Sequence, residues 1–281
     1  MRLVTRAVAL LCAVAPSLLA AQAAQPPQTN VLTIYREIIK AGKGPAHASM
    51  ETAWSWANLQ AKAPPYVAET VISGPNEVWY VSAYPTWADY EKGNDSTNMT
   101  PALSAVDKRF RSQEDQFLSD ARGMTLRPRT ELSYGGPADL PNMRYMSATR
   151  ISVRPGHTAE YEEARKMVKA AHEAAKLTDR YSVWEVTSGA PAGTFYQFVL
   201  RKTLAELDSG ATIHGPAYTA ALGGDEGQKK LAALTSSAVI SSETDVLEFT
   251  PSQSVPPASW VTANPKMWKR SAPAAAAPKK P

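Results

Sequence analysis

The feature that most constrains the fold of this chain is an internal repeat, because residues 144–210 restate residues 31–93 in residue character and in order. Each copy begins with a strand that carries one arginine, Arg36 in the first copy and Arg150 in the second. An alanine-rich helix follows in both copies, and then a hairpin that is broken at a Ser-Gly pair. Two copies of one unit in one chain predict a fold built from two similar halves.

The hydrophobic periodicity within each copy predicts the element order β-α-β-β-α-β. In the first copy we predict strand 31–40, a helix from Pro45, hairpin strands 66–73 and 77–84, helix 101–121 and strand 124–134. In the second copy we predict strand 143–154, helix 158–176, hairpin strands 181–188 and 194–201, helix 225–238 and strand 239–249. This order is that of the ferredoxin-like unit.

A ferredoxin-like sheet carries both helices on one face, and its other face has to be buried against something else. With two units in one chain, the two bare faces can cover each other. We therefore predict an α+β fold in which two tandem ferredoxin-like repeats form a dimeric-type α/β barrel within the chain. Because the repeats pair within the chain, a monomer is sufficient, and the sequence leaves the oligomeric state open.

Composition along the chain predicts a signal peptide, two repeats and a tail. Residues 1–23 combine a basic start, an apolar run and a small-residue cleavage site near Ala23, so we expect a secreted or periplasmic protein. The apolar run is shorter than the about 20 residues that span a bilayer, and no transmembrane segment is expected. The other expected segments are linker 24–30, first repeat 31–134, linker 135–142, second repeat 143–250 and a disordered Pro/Ala/Lys tail, 251–281.

Cysteine content and charge exclude several classes of function. The only cysteine, Cys12, lies in the predicted signal peptide, so the mature chain has no disulfide and no thiolate nucleophile. The formal net charge is +4, but without the two arginines of the signal and the five basic residues of the tail the chain has 23 Lys and Arg against 26 Asp and Glu. A mildly acidic folded part argues against a nucleic-acid partner.

Three polar residues are candidates for a binding site. Arg36 and Arg150 occupy matching places in the first strands, and on the cavity face of a barrel they would anchor a carboxylate or another anion. The alternative is that both arginines are ion-paired for structural reasons. His47, at a helix start, is a candidate base or metal ligand, or else a hydrogen-bonded structural histidine. No two histidines have metal-ligand spacing, so we expect no metal and no cofactor.

Aromatic residues are frequent in both copies. Trp54, Trp79 and Phe195 are candidates for the wall of an apolar pocket that takes a flat ligand. Packing in the core explains the same residues equally well. The sequence leaves these two interpretations open.

Short motifs in the first copy resemble a known superfamily. The stretch Lys40–Lys43 after the first strand, and Trp87–Tyr90 after the hairpin, are similar to the dimeric α/β barrel superfamily, and most similar to its NIPSNAP-type domains. The stretch Gly44–His47 also resembles uncharacterised secreted bacterial proteins that carry two such domains. The superfamily includes cofactor-independent monooxygenases, haem-handling proteins and members with no known chemistry, so the resemblance implies a fold more than an activity.

Three functions are consistent with these observations. The first is an exported protein that binds a small apolar or amphipathic molecule in the barrel between its repeats. The second is a cofactor-independent monooxygenase or a haem-handling enzyme. The third is a non-catalytic structural or assembly protein whose barrel is filled. We favour the first, with Arg36, Arg150, His47, Trp54, Trp79 and Phe195 as the candidate ligand-binding residues and no assigned catalytic residue.

Overall fold

The structure is a computed structural model that describes residues 29–271, except residues 96, 98, 137, 213 and 214, and the side chains of residues 209–212. The predicted signal peptide therefore lies outside the described residues, as do residues 272–281 of the tail. Within the part of the chain that the structure describes, no helix is long and apolar enough to cross a membrane.

The first half of the chain contains four strands and three helices. They are β1 (Val31–Ile39), α1 (Gly44–Gln60), β2 (Val67–Ser73), β3 (Glu77–Tyr84), α2 (Trp87–Asn94), α3 (Pro101–Glu114) and β4 (Leu118–Pro128). The side chains of Thr86 and Thr100 cap α2 and α3 by accepting a hydrogen bond from a backbone N–H of the first turn. Gly42 provides the left-handed φ of 75° that turns the chain from β1 into α1.

The second half repeats this order of strands and helices. Its elements are β5 (Tyr145–Val153), α4 (Thr158–Ala175), β6 (Ser182–Ser188), β7 (Thr194–Arg201), α5 (Pro216–Ala221), α6 (Gly224–Ala238) and β8 (Val239–Phe249). Gly156, with a φ of 85°, makes the same turn between β5 and α4 that Gly42 makes in the first half. Short 3-10 helices also occur among the described residues, at Thr130–Leu132, Leu140–Asn142, Leu204–Thr212 and Pro251–Gln253.

All eight strands form one closed antiparallel barrel in the order β1-β3-β2-β8-β5-β7-β6-β4. The strands of the first half are neighbours in the order β4-β1-β3-β2, and those of the second half are neighbours in the order β8-β5-β7-β6. Strand β2 pairs with β8, and β4 pairs with β6, which joins the two halves on both sides. The prediction of an α+β fold with a closed barrel is confirmed.

The main core fills part of the barrel interior, because every one of the eight strands contributes at least one residue to a single apolar cluster. The members include Ile34, Trp79, Leu126, Tyr196, Phe198 and Leu247. A second cluster, with Ile151, Tyr161 and Phe195, packs α4 and α6 on the outer face of the second half. A smaller one, with Ile39 and Val78, lies on the outer face of the first half.

The boundaries of α3 and β4 differ from the sequence prediction. The third helix ends at Glu114 and β4 begins at Leu118, whereas periodicity predicted a helix to residue 121 and a strand over 124–134. The apolar pair Phe117-Leu118 continues the spacing of the helix stripe. In the structure Leu118 is the cross-strand partner of Ile39 at the end of β1, so sheet pairing overrides the helical pattern.

The structure also corrects the prediction of a disordered tail over residues 251–271. These residues form α7 (Ala258–Ala263) and α8 (Pro265–Trp268), and Trp268 is completely buried against Phe249. Arg270 donates hydrogen bonds to Ser55 and to two backbone carbonyls. The segment is rich in Pro and Ser, but it also contains Trp260 and Trp268. Their burial provides the apolar area that orders the segment.

Candidate functional site

A cavity of about 820 Å³ opens at one end of the barrel. This is the end where β1, β2, β5 and β6 begin and where β3, β7 and β8 finish. Most of the lining is apolar and belongs to the inner face of the strands, with Leu32, Ile34, Val81, Met146, Trp184 and Phe198 among its residues. The volume is in the range of small-molecule sites, which usually measure about 300–1,000 Å³.

The opposite end of the barrel is filled by aromatic side chains and one ion pair. The Trp79 ring meets the Tyr196 ring edge to face, with 5.9 Å between centroids. Below them the Arg36 guanidinium forms a bidentate pair with the Glu77 carboxylate, and its Nη2 lies 2.9 Å from Oε2. Trp79 also donates from its indole nitrogen to Glu77 at 2.6 Å. The cavity therefore has a closed floor.

Glu69 is a buried carboxyl group in the wall of this cavity. Its backbone in β2 lies opposite Trp79 of β3 and Phe249 of β8, so its side chain points to the same inner face as Trp79. The residue is 4% exposed, and its Oε2 has no hydrogen-bond partner. Burial alone raises the pKa of this carboxyl to about 8. Because buried polar atoms in folded proteins are usually hydrogen-bonded, Oε2 of Glu69 is available as a hydrogen-bonding group in the cavity wall.

The mouth of the cavity is polar. The lining there includes Asp139, Asp179, Arg180, Lys202 and Glu206, and Trp260 of α7 is also a lining residue. An apolar interior beneath a charged rim suits an amphipathic molecule whose polar end remains near water.

The structure places the two candidate arginines at the filled end of the barrel. Arg36 points inward, but its charge is balanced by Glu77, and Tyr196 is 3.3 Å from its Nη1. Arg150 is more exposed and forms an ion pair of 2.6 Å with Glu243. Both arginines are thus ion-paired within the chain, and neither belongs to the cavity lining.

The other four candidate residues also lie outside the cavity lining. Trp54 stacks on Phe110 between α1 and α3, and Phe195 packs with Tyr161 on the outer face of the second half. Trp79 forms the floor of the barrel core. His47 is completely buried under α1. Trp54, Trp79 and Phe195 are therefore core-packing residues, which is the alternative interpretation of these aromatic side chains.

A second polar cluster lies on the outer face of the barrel, around His47. The imidazole Nε2 is 2.7 Å from Oε2 of Glu37 on β1, and Glu51 lies one helical turn after His47 on α1. Burial lowers the pKa of His47 and raises the pKa of Glu37 to about 9 and that of Glu51 to about 8. This cluster and the cavity are on opposite faces of the sheet.

Sequence reasoning missed both groups of buried carboxyls. Alternation in β2 places Val67, Glu69 and Val71 on one face, so one charged residue in an otherwise apolar inward row was a usable signal. The i, i+4 spacing of His47 and Glu51 was another, because it places a histidine and a carboxylate on the same face of one helix. The partner Glu37 is ten residues earlier on a strand, and only the fold brings it to them.

Comparison with known proteins bears on the fold. No protein-family model and no curated protein matches the chain. An anthrone oxidase-like protein superimposes with a TM-score of 0.51 at 10% identity, over 79% of this chain and 92% of its own. The closed eight-stranded barrel and this superposition indicate the same fold. The chain has the fold of the dimeric α+β barrels.

Other proteins with the dimeric α+β barrel fold are similar to the chain at lower scores. The "putative monooxygenase" of Lactobacillus acidophilus NCFM has a TM-score of 0.49 at 9% identity, over 78% of this chain and 93% of its own. A chlorite dismutase of Candidatus Nitrospira defluvii, in complex with imidazole, has a TM-score of 0.45 at 11% identity, over 80% and 93%. Similarities at these scores and identities indicate no activity for this chain.

Proposed function

We propose that this chain is an exported protein that binds a small, mostly apolar molecule in the barrel cavity, with a polar oxygen of that molecule hydrogen-bonded to Glu69. The observation that carries the proposal is the unpartnered Oε2 of Glu69 in the wall of an apolar cavity of about 820 Å³. A filled barrel, as a purely structural role requires, does not fit a cavity of this size. We further propose that the two halves are tandem ferredoxin-like repeats of the NIPSNAP type.

The protonation state of Glu69 selects the chemistry of the ligand. With a pKa of about 8, the carboxyl is mostly protonated at neutral pH and donates a hydrogen bond. A carbonyl or ether oxygen accepts such a bond without bringing charge into the apolar cavity. The preferred ligand is therefore an uncharged molecule with a buried oxygen acceptor, and it can carry a polar group that reaches the charged mouth.

A pair of matched ligands tests this proposal. 2-Acetonaphthone and 2-ethylnaphthalene have nearly the same shape, but only the ketone accepts a hydrogen bond. We expect the wild type at pH 6.5 to bind the ketone about fivefold more tightly, since one hydrogen bond contributes about 1 kcal/mol. Titrations can be followed by the fluorescence of Trp184 and Trp260, which line the cavity.

Two variants at the same position serve as controls for this titration. Glu69→Gln replaces the O–H donor by an N–H donor and should keep the preference for the ketone. Glu69→Met fills the same space without a donor and should remove that preference. Equal affinity for the two ligands in the wild type, or no saturable binding of either, would contradict the proposal.

The same carboxyl supports a second candidate function, a cofactor-independent oxidation. A group with a pKa of about 8 is a suitable general base near neutral pH. It would take the proton from an activated C–H group of a bound substrate, and the carbanion would reduce O₂, with one oxygen atom retained in the product and the other released as water. Oxygen uptake with anthrone, abolished in Glu69→Gln, would show this reaction, and binding without uptake would exclude it for that substrate.

A haem-handling function fits the cavity less well. Haem iron in proteins is held by His, Cys, Met or Tyr. The described lining contains no histidine or cysteine, and its tyrosines Tyr66 and Tyr181 pack against Tyr80 and His172 on the outer side of the sheet. Methionine, as in Met146, usually ligates haem together with histidine. We therefore do not propose haem chemistry for this cavity.

A further inference from the structure

Four ionisable side chains are buried together between the first half of the sheet and helices α1 and α3. They are Glu37 on β1, His47 and Glu51 on α1, and Glu114 at the end of α3. Their exposed fractions are 3%, 0%, 3% and 6%. The aromatic ring of Phe117 closes one side of the group, 6.2 Å from the His47 ring.

Polar atoms from three residues of this cluster lie close to one another. One possible ligand atom from each of Glu37, His47 and Glu51 lies within 4.8 Å of those from the other two. His47 Nδ1 and Glu51 Oε1 are buried and have no hydrogen-bond partner. The Glu114 carboxyl lies beside Glu37, and the Tyr80 hydroxyl, which is also buried without a hydrogen-bond partner, lies beside Glu37 and Glu51. Three unsatisfied polar atoms inside one cluster indicate that a partner is missing from the set of side chains.

The cluster also lacks a balancing positive charge. Among the ion pairs of the described residues, no lysine or arginine pairs with Glu37, Glu51 or Glu114. Arg111, one turn before Glu114 on α3, is close enough to lower the pKa of Glu37, but its ion pair is with Asp107. Three carboxyl groups in one dry space, without a cation, are unfavourable unless they bind protons or a metal ion.

The fold does not need these polar residues at these positions. Strands β1 and β5 each have nine residues, and helices α1 and α4 follow the same glycine turn. Counted from the start of each element, the counterparts of Glu37, His47 and Glu51 in the second half are Ile151, Tyr161 and Arg165. There an apolar cluster packs the same kind of helix on the same kind of strand. The acidic cluster is therefore specific to the first half.

We propose that Glu37, His47 and Glu51 bind one divalent transition-metal ion, with Glu114 as a fourth ligand. Carboxylate oxygens and one imidazole nitrogen form a ligand set suited to Zn²⁺ and Mn²⁺. Ligand atoms around such an ion are about 2.0–2.2 Å from it, which places neighbours about 3–3.5 Å apart. Rotation of the side chains that moves each ligand atom by roughly 1 Å would bring the atoms to that spacing. The site is closed and structural, and it fixes α1 on β1.

Titration of the full chain with Co²⁺ after EDTA treatment tests the site directly. Co²⁺ substitutes for Zn²⁺ and has visible absorption bands when protein ligands bind it. We expect saturation at one ion per chain and a rise of several degrees in Tm with Zn²⁺. His47→Gln and Glu51→Gln should each weaken Co²⁺ binding by at least tenfold.

Two control variants locate the ion and separate this proposal from the proposed function. His172→Gln removes a buried histidine of the second half, and Glu69→Gln changes the buried carboxyl of the cavity. Both should bind Co²⁺ as the wild type does. Absence of Co²⁺ bands and of a Zn²⁺-dependent Tm rise in the wild type would overturn the proposal. So would unchanged Co²⁺ affinity in folded His47→Gln and Glu51→Gln proteins.

Discussion

At the scale of single residues, Glu69 determines how the cavity responds to pH. In the unfolded chain its carboxyl has a pKa near 4.5, and in the folded chain burial raises that pKa to about 8. The folded state therefore binds the proton more tightly. The resulting stabilisation is complete below pH 4.5 and is lost as pH rises through 8.

Glu69→Gln should remove this pH dependence because the amide stays neutral. Each unit of pKa difference corresponds to about 1.4 kcal/mol, so the free energy of unfolding of the wild type should fall relative to the variant by on the order of 4 kcal/mol between pH 4.5 and 8.5. Urea unfolding of both proteins across this range measures the difference. Slopes from the other buried carboxyls are common to both proteins and cancel, and parallel curves would show that Glu69 is not buried as described.

Residue positions were predictable from the sequence where strand alternation decides them. Alternation places Arg36 on the strand face opposite Tyr35 and Ile39, and in the structure this face is the inner face of the barrel. Its partner Glu77 is 41 residues later in the chain, and only the pairing of β1 with β3 brings the two together. A candidate anion-binding arginine is thus already neutralised, which no single-strand pattern can reveal.

At the scale of elements, the segment after β8 packs on the barrel and is part of the folded structure. Trp268 of α8 is completely buried, donates from its indole nitrogen to the Pro141 carbonyl at 2.9 Å and packs against Phe249. Composition predicted disorder here because proline and serine dominate the local sequence. The segment is ordered because Trp260 and Trp268 pack on a surface formed by strands that are distant in sequence.

Trp268→Ala should therefore destabilise the protein by about 3–5 kcal/mol, as expected when a fully buried large aromatic residue is truncated. Trp87→Ala is the matched control, since Trp87 is 51% exposed, and it should cost less than about 1 kcal/mol. Guanidinium unfolding of the two variants gives both values. Equal, small losses would indicate that the segment does not pack on the barrel.

At the scale of the whole molecule, the sequence predicts the barrel, but not the distribution of space inside it. The repeat and the need to cover a bare sheet face lead to a closed barrel, and strand order confirms it. Trp79 and Tyr196 occupy matching positions in β3 and β7 and together fill one end. Which end stays open depends on side-chain volumes summed over eight strands, and periodicity carries no such information.

The most direct test of the central claim is a crystal structure of the wild type with 2-acetonaphthone. The account predicts the naphthalene ring inside the barrel and the ketone oxygen within about 3 Å of the Glu69 carboxyl. A ligand bound only on the outer surface, or a barrel whose interior is filled by its own side chains, would contradict it.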